Sequence, residues 1–496
     1  MASIVKQSSI GLISNYFGIV LGFINVMLIM PAILSAEQIG LINLILSVVL
    51  LVYPILDFSA IQILKRYFTH VKDKQEIFNY SLLISSCGAI LFFFVFLWGK
   101  PLFVKYYAVK SPEILSYYWW IYFVSIIMSW SGLAEGLGVI YGKYHITSFV
   151  KEIIFRLGIF LILGILFIHL ISFKEFVYCN FIMYGVTGLL ILAYLYQEGK
   201  FKFRFQLPHF SQTLRSNIFK FGSFSIFTGL ASIIAIRIDM IMLGSMSGLK
   251  EVGIYTIAMY MATAIDVPRK TVLQSAAPII RIAIRSHDID KATQIHYKTI
   301  VNLILIAGFM LTLLMVNLHT IYNIIPNGEV YRKGFWVVLL IGLAKLAEMM
   351  NGGINEIITS SRYYMVNIIF IILLAILSVG LNFLLIPIYG IVGAAGSAFV
   401  ATSIITLCKS VTFKWLFSKK VYDFKILSII LFYISLGTVL YYIPTFPWMI
   451  LSIGQKVILA SIALYFFMKF TQVSPDLNQL LNQFLSTLRL SKWIKL

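Results

Sequence analysis

The sequence predicts an all-α polytopic membrane protein of about fourteen transmembrane helices, in two six-helix halves followed by a further helix pair. Three observations carry that reading. Of 496 residues, 60% are hydrophobic and 12% charged, with a mean hydropathy of +0.93, which excludes an ordinary soluble globule. Apolar runs of membrane-crossing length recur from end to end. A pattern also recurs six spans apart: Gly40 in 35–44 and Gly253 in 248–257, each followed at similar distance by a proline, Pro54 and Pro268. Two copies offset by an even number of spans cross the membrane in the same direction, as in transporters built from parallel repeats.

The N-terminal MASIVKQSSIGLIS leads into apolar chain without a small-residue cleavage site, so the first span is expected to be retained. The expected spans are 8–34, 39–63, 77–98, 114–140, 146–170, 174–197, 218–244, 252–280, 295–320, 333–360, 363–388, 391–416, 425–443 and 449–470. Their lengths imply tilt or short extensions beyond the bilayer. Grouped, they give an N-terminal bundle (1–197), a basic linker (198–217), a second bundle (218–416), an extra helix pair (417–470) and a C-terminal segment (471–496).

Orientation follows from charge. The chain carries 39 Lys and Arg against 19 Asp and Glu, and most of the basic residues fall in segments on one side. The main clusters are Lys65, Arg66, Lys72 and Lys74; Lys200, Lys202, Arg204, Arg215 and Lys220; and Lys409, Lys414, Lys419, Lys420 and Lys425. The positive-inside rule then puts both termini in the cytoplasm. Basic loops facing anionic lipid explain the excess charge better than nucleic acid, for which no aromatic-interleaved basic domain exists. Beyond Ser474-Pro475-Asp476, a sound helix start, Leu477, Leu481, Phe484 and Leu488 share one helical face. That predicts an amphipathic helix on the inner membrane surface, with protein docking as the alternative.

Few residues carry chemistry. Cys87, Cys179 and Cys408 lie in apolar segments without metal or redox spacing and are expected in the core. The histidines, His296 among them, fall in loops or near span ends and are expected to be solvated or interfacial; no metal or other cofactor is expected. Asp57, Glu135 and Glu356, near inner span ends, are expected to pair with Lys65, Lys143 or Arg362. Charges deep within spans are the informative ones, because placing them there is costly. Glu152 with Arg156, Asp266 with Arg269 or Lys270, and Lys345 with Glu348 stand three or four residues apart, so each set shares a helix face and can be self-neutralising. Arg237 has no carboxylate at such spacing, and Asp239 points to another side of its helix. Its guanidinium needs an anion from another helix, from the substrate, or from the interface. Pro268 among the span-eight charges argues for a cavity there.

These residues carry a family resemblance. Arg237-Ile-Asp-Met-Ile-Met-Leu-Gly followed by Glu251-Val-Gly-Ile-Tyr resembles the seventh-to-eighth-span signature of Wzx-type polysaccharide and O-antigen flippases. Leu381-Asn-Phe-Leu-Leu-Ile-Pro-Ile-Tyr-Gly-Ile-Val-Gly-Ala-Ala-Gly is similar to that family's hairpin between spans eleven and twelve, and Ala36-Glu-Gln-Ile-Gly-Leu to its first external turn. The resemblance implies the multidrug/oligosaccharidyl-lipid/polysaccharide exporter superfamily, with two bundles around a central cavity working by alternating access. The extra final span pair departs from the pattern and also occurs in the related lipid II flippases.

The resemblance further implies a lipid-linked oligosaccharide as substrate, a bacterial inner-membrane location, and surface-polysaccharide (lipopolysaccharide, O-antigen) assembly as context. A pyrophosphate cannot cross hydrocarbon unaided. Arg237 lies roughly 10 Å from the outer end of span seven and Arg269 roughly 25 Å from that of span eight. Positive groups at two depths would hold the phosphates as the cavity changes sides. The expected substrate contacts are Arg237, Arg269, Lys270, Arg156 and Lys345. The expected sites of H⁺ or Na⁺ coupling are Asp239, Asp266 and Glu348, with the ion left open. Membrane lipids and the polysaccharide polymerase machinery are the expected partners of a monomer. Alternatives are a lipid II flippase, a drug/cation antiporter and, from another class, a membrane polysaccharide polymerase or ligase. The basic span inventory disfavours an organic cation, and no large external loop offers catalytic residues.

Overall fold

The computed structural model describes residue 14 and residues 17–479 apart from 72, 203–209, 420–421, 445, 447 and 476. The described chain is helical, without strands. Nine described helices are long and apolar enough to cross a membrane, ten if one bent pair is a single span. Of the remaining expected spans, span one is described as the shorter helix Phe17–Ile33 and span eight is broken by a turn.

In order, the helices are α1 (Phe17–Ile33), α2 (Ala36–Asp57), α3 (Ala60–Tyr67), α4 (Lys74–Tyr107), α5 (Tyr118–Ile140), α6 (144–167), α7 (Phe173–Gln197), α8 (Gln212–Met246), α9 (Leu249–Thr263), α10 (Val267–Arg285), α11 (Ile289–Ile324), α12 (Phe335–Met349), α13 (Ile354–Ser360), α14 (Tyr364–Phe417), α15 (Phe424–Tyr442) and α16 (Met449–Thr471). Starts follow local chemistry. Ser35 and Ser172 make reciprocal capping boxes with Gln38 and Glu175, and Asp423 accepts the amides of Lys425 and Ile426. Ser474 accepts the amide of Leu477 at 3.2 Å, as its cap position predicts; the expected amphipathic helix beyond 479 lies outside the described residues.

The breaks are local. α1 and α6 contain π-helical turns at Asn25–Ile29 and Val150–Ile154. Expected span two stops at Asp57, where Phe58 and Ser59 take left-handed backbone before α3. Span eight breaks at the 3₁₀ turn Ala264–Asp266, and Pro268 occupies the first turn of α10, where its missing amide costs nothing. Span ten bends by 46° between α12 and α13. α14 is two helices joined at Gly390 (φ 55°, ψ −128°), in the stretch expected as the hairpin between spans eleven and twelve.

Compactness divides the chain into residues 1–257 with 325–327, and residues 258–324 with 328–496. In the first unit α2 packs along α8 and α5, while α5 packs on α7. In the second, α12 packs on α14, and α11 receives α10, α15 and α16.

The repeat glycines meet within the first unit. A Cβ on Gly40 would lie 1.9 Å from the Leu249 carbonyl oxygen, and one on Gly253 would lie 1.9 Å from that of Ala36. Each glycine thus abuts the carbonyl four residues before the other, the reciprocity expected of two related copies. Backbones come this close only over small residues.

Some expectations are corrected. Cys87 is exposed rather than in the core, and Cys179 and Cys408 are only half-buried. His296 is not interfacial: it is wholly buried, and its Nδ1 accepts the Gly353 amide at 3.1 Å, pinning the α12–α13 bend. Asp57 does not pair with Lys65. It is 1% exposed and accepts the Ser129 hydroxyl, which shares a 2.7 Å bond with Ser85. Lys143 pairs with Glu198 at 2.6 Å, leaving Glu135 to Lys151 at 2.9 Å. Arg362 bonds the Tyr363 hydroxyl at 2.6 Å, away from Glu356.

Topology has a direct check. Reporters fused after residue 210 and at the C-terminus are expected to read cytoplasmic, and one within 102–112 external. An external C-terminal signal overturns the even span count.

Candidate substrate and ion sites

Two polar constellations lie at span depth in the first unit. On α8, Asp239 is nearly buried (9% exposed) and accepts the hydroxyl of the fully buried Tyr255 of α9. Burying a carboxylate requires such partners. Arg237, two residues earlier, is half-buried, and its one polar contact among the described residues is Nη1 to the Met240 sulfur at 3.7 Å. No carboxylate of the described chain lies within 4 Å of it, so the guanidinium keeps its donors available.

The second constellation joins the two π-turns. Arg156 Nη2 bonds Glu152 at 2.8 Å, while its Nη1 donates to the Gly18 carbonyl. Asn25, in the α1 π-turn, donates to the Arg156 carbonyl at 2.9 Å. Arg156 therefore clasps α1 as well as neutralising Glu152.

In the second unit, the two pairs expected from spacing merge into one network. Arg269 Nε bonds Asp266 at 2.5 Å and Nη2 reaches Asp266 at 3.2 Å and Glu348 at 3.0 Å; Lys345 bonds Glu348 at 3.0 Å. The 3₁₀ turn at Asp266 aims these side chains from α10 toward α12. Lys270 takes no part; it is exposed, with no ion pair among the described residues.

Sequence reasoning missed two members. Lys409, grouped with the cytoplasmic loop lysines, lies inside α14, is 8% exposed and bonds Asn355 at 2.8 Å. Glu356 shares its field and that of Arg269, with Oε2 unpartnered among the described residues. Together, Arg269, Lys345 and Lys409 face Asp266, Glu348 and Glu356. Position at the end of span twelve was the available signal for Lys409. The missed partner of Asp239, Tyr255, stood in the resemblance motif itself.

Residues 4–281, more than half of the chain, match the family described as polysaccharide biosynthesis protein. The chain belongs to that family. Solved structures place this polysaccharide biosynthesis protein in the fold of the MOP-superfamily transporters. It is similar to the lipid II flippase MurJ in an inward closed conformation (12% identity, 92% of this chain and 98% of that one, TM-score 0.72). It is also similar to an inward-facing MATE-family multidrug transporter of the MOP superfamily (12% identity, 86% and 99%, TM-score 0.64). A MOP-superfamily transporter from Pyrococcus furiosus matches at 13% identity over 84% and 95%, with TM-score 0.53. No curated protein matches the sequence. Family and apolar helices make this a multi-pass membrane protein of the polysaccharide biosynthesis family, with the fold of the MOP-superfamily transporters.

Proposed function

We propose that this transporter is a flippase moving undecaprenyl-pyrophosphate-linked oligosaccharide across a bacterial inner membrane by alternating access, with H⁺ or Na⁺ coupling. The two six-helix bundles would be its moving halves, both termini cytoplasmic, and the polysaccharide polymerase machinery would receive its product. The family match supports the substrate class. The observation that carries the site is Arg237, a guanidinium at span depth with no carboxylate within 4 Å among the described residues. Its planar fork suits paired phosphate oxygens. Arg269, Lys270, Lys345 and Arg156 are further candidate contacts, Arg269 with Nη1 available after its bonds to Asp266 and Glu348. Asp239, Asp266 and Glu348 are the proposed coupling carboxylates.

Fluorescent lipid-linked oligosaccharide in liposomes, with and without imposed H⁺ or Na⁺ gradients, tests the proposal. Arg237→Gln is expected to insert normally and lose roughly ten- to a hundredfold in substrate affinity, the worth of one charge-assisted contact. Lys at 237 should retain part of the transport. Full transport by the Gln variant at normal protein level removes the phosphate role.

Lipid II transport is the second reading. The MurJ likeness covers 92% of this chain, more than the 86% of the MATE likeness, and supports it. Supplying both lipid-linked substrates in the same liposomes separates the two. In cells, repeat units held on the inner leaflet after loss of the protein support flipping, whereas units that cross normally but stay unpolymerised support an enzyme.

A further inference from the structure

A groove of about 610 Å³ runs between α4, α5 and α7 in the first unit and shares no lining residue with the Arg237 and Arg156 constellations. Its volume is that of a small-molecule site, in the ~300–1,000 Å³ range. The walls are Phe78 and Leu82 of α4, Trp130 of α5, and Leu189 and Leu192 of α7. Trp130 is 46% and Leu189 68% exposed, so the groove opens at the surface of the unit, and its apolar walls suit a lipid medium. Its floor is closed: a Cβ on Gly188 would sit 2.9 Å from the Ser131 Cα, so α5 and α7 touch there.

Its polar groups are largely engaged. Gln75 both donates to the Lys202 carbonyl and accepts the Lys202 amide at 3.0 Å, and Ser131 donates to the Tyr184 carbonyl at 2.6 Å. The walls therefore offer hydrocarbon a place and give a polar ligand little. The Gln75 clamp fixes Lys202 at one end of the trough, with its side chain exposed. Glu198 is engaged by Lys143 and Lys200, and among the described residues no carboxylate lies within 4 Å of Lys202. The stretch 198–204 carries three basic residues against that one acid. This end belongs to the side that the charge distribution assigns to the cytoplasm, where the leaflet is anionic.

We propose that the groove is a binding site for one anionic phospholipid of the inner leaflet, its acyl chain along Phe78, Trp130 and Leu192 and its headgroup phosphate at Lys202. Native mass spectrometry of the full chain, delipidated and then offered phosphatidylglycerol or phosphatidylcholine in mixed micelles, tests it. Wild type is expected to retain one phosphatidylglycerol in preference to phosphatidylcholine. Lys202→Gln should weaken phosphatidylglycerol retention about fivefold, the effect of one basic residue on binding to an anionic leaflet, and erase the preference. Leu189→Trp, at an exposed position that tolerates bulk, should lower retention of both lipids. Equal retention of the two lipids by wild type overturns the proposal, as does retention unchanged by either variant. Loss in Lys202→Gln with none in Leu189→Trp also overturns it, since that leaves a surface lysine and no groove. Displacement of the lipid by millimolar inorganic phosphate would assign the site to free phosphate and overturn it too.

Discussion

Gly40→Ala and Gly253→Ala are each expected to destabilise the purified protein by about 1–3 kcal/mol, the usual cost of overpacking a tight contact. Each new methyl would start 1.9 Å from a backbone carbonyl oxygen, of Leu249 or Ala36, and backbone cannot swing aside as a side-chain tip can. The helices must separate. Because both substitutions strain the same approach, the double variant should cost less than the two added together; once one methyl has parted the backbones, the second meets open space. Gly229→Ala is the control: nothing lies within 4 Å of its Cβ position, so the change should be neutral or stabilise α8 by removing a helical glycine. Thermal unfolding in detergent measures all four. Additive losses would mean that the glycines act separately and that the reciprocal contact is not a unit. In transport assays the pair should slow any step that closes this contact, leaving substrate binding at Arg237 intact.

That contact was half legible in the sequence. The repeat around Gly40 and Gly253 could be read because a glycine and a later proline, Pro54 or Pro268, recur at similar offsets. That the copies face each other could not, since spacing along a chain says nothing about which helices meet. The helical class and most span positions were legible for a plain reason: hydrocarbon demands long apolar helices, and composition records that demand. The breaks were less visible. Phe58 and Ser59 take left-handed backbone although neither is a glycine, and the π-turns at Asn25 and Val150 leave no mark in hydropathy.

At the candidate sites, spacing identified pairs within one helix and missed partners from other helices. Asp266 with Arg269, and Glu152 with Arg156, form as the three- and four-residue offsets predict. The Gly18 carbonyl at Arg156 and Tyr255 at Asp239 come from elsewhere in the fold. Lys409 shows the same limit from the other direction. Its lysine-rich neighbourhood suggested a loop, while packing of α14 on α13 buries it beside Asn355.

Arg269→Gln is the second large effect, and the network determines its pattern. The substitution strands Asp266 and also takes from Glu348 one of its two cations, where an isolated pair would strand one carboxylate only. Removing one partner of a buried ion pair costs about 3–5 kcal/mol; with side chains 13–30% exposed here, the lower end is expected. Asp266→Asn added to Arg269→Gln should rescue only part of the loss. Glu348 keeps Lys345 but loses its second cation; full recovery should need Glu348→Gln together with Lys345→Gln, since Glu348→Gln alone would leave Lys345 without its carboxylate. Stability in detergent and transport in liposomes should then diverge. The resulting quadruple variant should regain stability, because neutral amides can hydrogen-bond one another, yet stay inactive if Asp266 and Glu348 carry the coupling ion. Full rescue of stability by Asp266→Asn alone would show that the Arg269–Glu348 contact contributes nothing. Full transport by the quadruple variant would remove these carboxylates from ion coupling and leave Asp239 as the remaining candidate.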